Sequence, residues 1–221
     1  MSRSRRLFRL IQKKLPGLVL CKSMLVVPPT EHIVRGFLLE ATSEKDRVYL
    51  WKVVTPLLRP MRHVILNFST RISGNEPELY VRRDAFEQSA ETIRNIISEH
   101  IEYLRRVRYP HDFLRHACWV VEGSPVLERF DQALIHYVIG NVSHATKVLR
   151  ALDQEVDQWD AARQQYIGPL LKQIVREIDK DPARLAALLS EWEQQNVERL
   201  GLLPSRVPPD GPRLVISDQL A

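Results

Sequence analysis

The stretch from Asp84 to Tyr109, DAFEQSAETIRNIISEHIEYLRRVRY, constrains the fold more than any other part of the chain. Phe86, Ala90, Ile93, Ile97, Ile101 and Leu104 recur at steps of three and four, which places them on one face of a helix. Asp84 stands where an N-cap would, with Glu87 three residues on as a capping box requires. Pro110 lacks an N–H and blocks the next turn with its ring, so it marks the end. At ~1.5 Å per residue such a helix is about 37 Å long, enough to cross a small domain. The rest of the core has to be built against this one apolar face.

The chain of 221 residues is long enough for one core or for two unequal lobes. Strand-like sequence precedes the long helix and helical sequence follows it. The expected class is α+β and predominantly α-helical, with a small antiparallel β-meander followed by a helical bundle of antiparallel hairpins. The expected division is a basic N-terminal arm at 1–22, a small β-rich lobe at 23–83, a helical bundle at 84–202 and a Pro-rich tail at 203–221.

Residues 1–22 hold Arg3, Arg5, Arg6, Arg9, Lys13, Lys14 and Lys22 and no Asp or Glu, while the whole chain carries a formal net charge of +5. The remainder is therefore mildly acidic, and the arm suits phosphates or acidic partners. Leu7, Phe8, Leu10 and Ile11 lie among these cations, which permits a short amphipathic helix before Pro16 and Gly17. The plainer expectation is a frayed, solvated terminus, in which case residues 1–14 are dispensable for folding. The following LVLC is interrupted by Lys22 and too short for the apolar region of a secretory signal.

MLVVPP is a short extended segment closed by prolines, and three apolar stretches follow at His32–Thr42, Arg47–Leu58 and Arg62–Ile72. The first two flank Ser43-Glu44-Lys45-Asp46, a loop of hairpin length. VYLWKVV and HVILNFS are rich in β-branched and aromatic residues and suit strands, with a helix across Arg47–Leu58 as the main competitor because short apolar runs fit either. Pro56 and Pro60 cannot donate to a ladder, so the second strand should end near Thr55. Beyond Pro110, His111–Val121 reads as a short helix closed by Gly123, and Ser124-Pro125 sets a cap before proline at the first helical position. Apolar stripes then run over Val126–Val138, Val142–Trp159, Leu170–Ile178 and Leu185–Trp192, separated at Gly140-Asn141, Gly168-Pro169 and Asp181-Pro182. Connections this short imply antiparallel neighbours.

Within this region ALIHYVIGNVSHATKVLRAL, with Gly140 at the turn and Ala145 and Leu149 on the second helix, resembles a tetratricopeptide unit over about twenty residues. Its first helix lacks the Trp and Leu-Gly of such units, and no second copy follows at the ~34-residue period. What the resemblance implies is a helical hairpin.

Phosphate-cradling loops, nucleophile elbows, CxxC and HExxH are all absent from the sequence, which names no catalytic residue, no metal ligands and no cofactor. His111 and His116 are five residues apart, roughly 140° around a helix, too far to share a metal. Asp112 and His116 read as a surface ion pair, and His136 and His144 flank a turn that can bring them together. The carboxylate pairs Glu99/Glu102 and Asp153/Asp157 fall on solvated faces. Cys21 and Cys118 are too few for a secreted disulfide framework and suit a reducing setting, with Cys118 a small core residue beside Trp119.

A second cationic cluster, EYLRRVRYPHDFLRHACW, interleaves Arg105, Arg106, Arg108 and Arg115 with Tyr103, Tyr109, Phe113 and Trp119. Cations for phosphates and rings for bases are what hold single-stranded nucleic acid. The plainer reading sets the arginines against the dipole at a helix C-terminus and the aromatics in the core. The expected function is accordingly a non-enzymatic protein-interaction module that recognises a macromolecular partner through a helical face or groove. The alternative is a nucleic-acid-associated protein that uses Arg3, Arg5, Arg6, Arg9, Lys13 and Lys14 together with the Arg105–Arg115 cluster; on the first reading nucleic acid binds only weakly and without sequence preference. No apolar run approaches the ~18 residues of a membrane span, and a cytoplasmic location is expected.

Overall fold

Leu50, Lys52 and Val54 alternate with Tyr49, Trp51 and Val53 along β4 (Arg47–Pro56), and the two faces this creates organise the molecule. The structure is a computed structural model that describes residues 3–44, 46–72, 78–82, 84–117 and 125–202. It is α+β and predominantly helical. β1 (Val19–Cys21), β2 (Met24–Val26), β3 (Ile33–Ala41) and β4 are successive antiparallel neighbours, and β5 (Thr70–Arg71) and β6 (Leu79–Tyr80) pair with different parts of the other side of β4. The β3–β4 register sets Gly36 opposite Val53, Phe37 opposite Lys52 and Ala41 opposite Val48. One sheet face presents Ile33, Phe37, Leu39, Val48, Leu50 and Val54 to the main core, and the other presents Val34, Trp51 and Val53 to a smaller one.

The helices are α1 (Arg3–Lys14), α2 (Phe86–Arg106), α3 (Pro110–Ala117), α4 (Pro125–Val138), α5 (Val142–Glu155), α6 (Ala161–Tyr166), α7 (Gly168–Lys180) and α8 (Pro182–Leu200). The main core is continuous from Leu7 and Phe8 of α1 through Phe37 and Ile97 to Phe130, Leu149, Ile174 and Leu189. α4 packs on α5, α5 on α7 and α7 on α8. The α4–α5 hairpin turns at Gly140, whose φ of 88° is in the left-handed region that glycine adopts without strain. α8 ends at Gly201, and Leu200 and Leu202 return to cover the second sheet face.

Several elements differ from the sequence reading. Residues 3–14 are not a frayed terminus: they form α1, and Leu7, Phe8 and Ile11 are at most 1% exposed in the main core. Residues 3–14 are therefore part of the core and not a detachable arm. Arg6 stacks on Phe86 and Lys14 pairs with Glu91 at 3.0 Å, so α1 lies along α2. LVLC supplies β1, whose tight connection to β2 makes a hairpin. HVILNFS is not a strand. Only Thr70 and Arg71 pair with β4, while Val64, Ile65 and Leu66 spread over the second sheet face. An apolar run flanked by prolines meets the same burial demand as a strand without joining the ladder.

Asp84 does not cap α2. Its carboxylate takes Arg82 at 2.7 and 3.2 Å, and the helix begins two residues later. Ser89 Oγ instead accepts from the Arg82 N–H and donates to the Ala85 carbonyl. α2 ends at Arg106 rather than Tyr109, and Pro110 opens α3. The Val142–Trp159 stripe is interrupted at Val156 by a short 3-10 turn. The expected continuation of α3 to Val121, the Ser124 cap, Cys118, Trp119 and the Pro-rich tail lie outside the described residues.

A buried polar knot ties residues 57–61 to three helices. The Arg59 guanidinium meets the Asp131 carboxylate of α4 at 2.6 and 3.2 Å, both groups almost wholly out of solvent. It also donates to the hydroxyl of Tyr166 in α6, which donates in turn to the Pro60 carbonyl. Asn196 of α8 accepts from the Met61 N–H and donates to the carbonyls of Leu57 and Arg59. The Leu57 N–H donates to the His32 carbonyl, and the Met61 N–H and the carbonyls of Leu57, Arg59 and Pro60 are satisfied by side chains rather than by a ladder.

Candidate functional site

Lys52 is in phase with Val48, Leu50 and Val54 on the core side of β4, opposite Phe37. Its stem is buried and its ammonium emerges where α2 turns into α3, 4.4 Å from the centroid of the Tyr103 ring. A cleft of about 640 Å³ opens there. Its floor is Lys52 and Thr70 of the sheet, its walls are Tyr103, Arg106 and Val107, and its far side is Asp112, Arg115 and His116 of α3. Burial lowers the pKa of Lys52.

The Tyr103–His116 pair is fixed by its surroundings. His116 Nε2 is 2.8 Å from the Phe68 carbonyl, which can only accept, so the proton of the neutral ring sits on Nε2. Nδ1 is then an acceptor and takes the Tyr103 hydroxyl at 2.6 Å. Burial, against the Phe68 hydrogen bond and with help from the Lys52 charge, lowers the His116 pKa. Burial also raises the Tyr103 pKa. The surface ion pair expected between Asp112 and His116 does not form, because His116 is buried and both its nitrogens are engaged. Asp112 instead closes the first turn of α3: Oδ2 accepts from the N–H groups of Arg108 and Tyr109 at 3.1 and 2.9 Å, and Oδ1 takes Arg115.

Arg35 holds the corner from beneath. It lies on the core side of β3 and donates from Nη1 to the carbonyls of Val107 and Arg108 at 2.8 and 3.3 Å, groups left open where α2 ends. Burial, reinforced by the Arg108 charge, pushes its guanidinium down to about 10. A cation in this position also opposes the negative end of the α2 dipole.

Of the cluster singled out in the sequence, Arg106 and Arg115 reach the cleft. Arg105 pairs with Glu102, and Arg108 lies over the Tyr109 ring at 5.3 Å. Phe113 is a core residue, edge-on to Phe68 at 4.7 Å. None of the arm cations lines the cleft: Arg3 pairs with Asp46 at 2.6 Å, Arg6 and Lys14 bind α2, and Arg5, Arg9 and Lys13 are exposed on α1. His136 and His144 do come together, rings 4.4 Å apart, at the α4–α5 turn. Among the described residues no three His, Cys, Asp or Glu side chains are grouped to hold a metal ion.

Lys52, Thr70 and Arg35 were not candidates in the sequence reading. Lys52 and Arg35 had a usable signal, since each is a cation at a core-phase position of a strand. The chain matches no protein-family model, no curated protein and no solved structure. No described helix is long and apolar enough to cross a membrane.

Proposed function

We propose that the protein is a non-enzymatic interaction module that recognises a partner protein by holding one of its anionic groups in the cleft at the α2–α3 corner. The observation that carries this reading is an excess of cationic donors in one open site. Lys52 and Arg106 have no carboxylate within ion-pair distance among the described residues, while the one carboxylate present, Asp112, is taken up by two backbone N–H groups and Arg115. A half-buried ammonium held by the Tyr103 ring, with an exposed guanidinium beside it, suits an anion. The low cysteine content, two residues in the whole chain, fits a reducing, cytoplasmic setting.

A nucleic-acid partner is the second reading, supported by exposed Tyr103 and Tyr109 beside the arginines and by the exposed cations of α1. Against it, the Tyr103 ring is covered by Lys52, and that of Tyr109 is engaged by Arg108 and stacked on His111 at 5.5 Å. Rings already engaged are poor platforms for bases.

The test is an anisotropy titration with a labelled Glu-rich peptide at several salt concentrations. Lys52→Met and Arg106→Gln should each weaken binding about fivefold, the roughly 1 kcal/mol of one partly exposed ion pair, with Arg105→Gln unchanged. Tighter binding of a single-stranded oligonucleotide, lost on replacing Arg5, Arg9 and Lys13 by Glu, would favour the second reading.

A further inference from the structure

We propose that the anion taken by this cleft is a phosphate monoester carried on a serine, threonine or tyrosine side chain of the partner protein; the inference rests on the interaction-module reading above. Charge balance is the first reason. With Asp112 and Arg115 neutralising each other, Lys52 and Arg106 leave two positive charges at the site. A phosphate monoester carries about −1.5 to −2 at neutral pH, whereas a carboxylate or an internal phosphodiester carries one charge. The monoester compensates both cations with one group, and an uncompensated charge is costly at the half-buried Lys52.

The donor inventory is the second reason. Lys52 presents ammonium protons from the floor, Arg106 a planar fork from the α2 wall, and Thr70 a hydroxyl beside Lys52. That set matches a tetrahedral group with three acceptor oxygens. Tyr103 adds no donor, because its proton is directed to His116 Nδ1, and His116 adds none, because its proton is on the Phe68 carbonyl. Their part is positional. The Tyr103 ring holds the ammonium of Lys52 at 4.4 Å, and the His116 bridge fixes that ring to the sheet. Arg35 fixes the opposite end of the corner through Val107. Lys52 and Thr70 therefore stand on paired strand positions that do not have to be ordered when the ligand arrives, and Arg106 reaches in from the exposed end of α2.

The experiment uses the full chain and four labelled probes: a short Gly-Ala peptide with one phosphoserine, its Glu and Ser counterparts, and an oligothymidylate lacking a terminal phosphate. The phosphoserine peptide should bind about tenfold more tightly than the Glu peptide, with the Ser peptide silent and inorganic phosphate competing. Lys52→Met and Arg106→Gln should each erase that preference while thermal melting stays within a few degrees of wild type. If either variant fails to fold, the wild-type protein still decides: inorganic phosphate should shift the amide resonances of Thr70, Tyr103 and His116, and acetate should not. Equal binding of the phosphoserine and Glu peptides would overturn the phosphate inference and leave the anionic-partner reading standing. Binding of neither peptide would overturn both. Tightest binding of the oligothymidylate would overturn both in favour of nucleic acid.

Discussion

Gly36 has no room for a methyl group: a Cβ built there would stand 2.1 Å from the Leu25 carbonyl oxygen and 2.9 Å from Met24 Cε. Gly36→Ala must push β2 off β3, and should lower the urea midpoint by the equivalent of at least about 1–3 kcal/mol. Ile97 lies wholly inside the main core at the middle of α2, and Ile97→Ala should cost about 2–5 kcal/mol in the same measurement. Arg59→Met leaves the Asp131 carboxylate buried without its partner and should cost about 3–5 kcal/mol. His32 offers a pH-dependent test. Burial alone would lower its pKa, but the Glu193 carboxylate at 2.7 Å, aided by Glu31, outweighs this and raises it. A group raised on folding stabilises fully below its unfolded value, about 6.5, and loses that contribution as pH climbs through the folded one. The melting-temperature difference between wild type and His32→Gln should therefore be largest on the acid side and shrink as pH rises. The comparison is with the variant because His116, whose pKa is lowered, pulls the wild-type profile in the opposite direction.

Among the elements, α1 carries the sharpest test. Its apolar residues Leu7, Phe8 and Ile11 are fully buried, so removing residues 3–14 strips a layer from the core. The truncated chain should melt at least several degrees lower and expose apolar surface to a hydrophobic dye, whereas Arg5, Arg9 and Lys13 replaced by Glu should fold normally. How legible each element was follows from how local its determinants are. α2, α4, α5, α7 and α8 announce themselves through stripes of period 3.6, and β3 and β4 through apolar stretches, β-branched and aromatic in β4, around a loop of hairpin length. α1 looked optional because a short amphipathic pattern cannot say whether a partner face exists. HVILNFS has strand composition but is held by the second core, which includes Leu200 and Leu202, and by His116 at the Phe68 carbonyl, contacts that its own sequence does not show. The cleft was half legible: Arg106 and Arg115 stood in a visible cluster, whereas Lys52 and Thr70 join them only once β4 and β5 pair.

At the scale of the whole molecule, sheet and helices share one core and are cross-linked by Arg59, Asn196 and the His32–Glu193 pair. Amide exchange in β3 and in α8 should accordingly converge on the same global opening free energy, and a residue-resolved measurement finding α8 to open separately would contradict this. The order in which the chain is made sets a different demand. The apolar face of α1 is covered by α2, whose last turn is translated about 90 residues later, a wait of roughly 5–20 s at a ribosome's pace of ~5–20 residues per second. Through that interval the first helix emerges with Leu7, Phe8 and Ile11 uncovered and a row of cations beside them. Any factor that shields nascent chains will meet α1 as an uncovered amphipathic basic helix, and the helix will be surrendered only when α2 is complete.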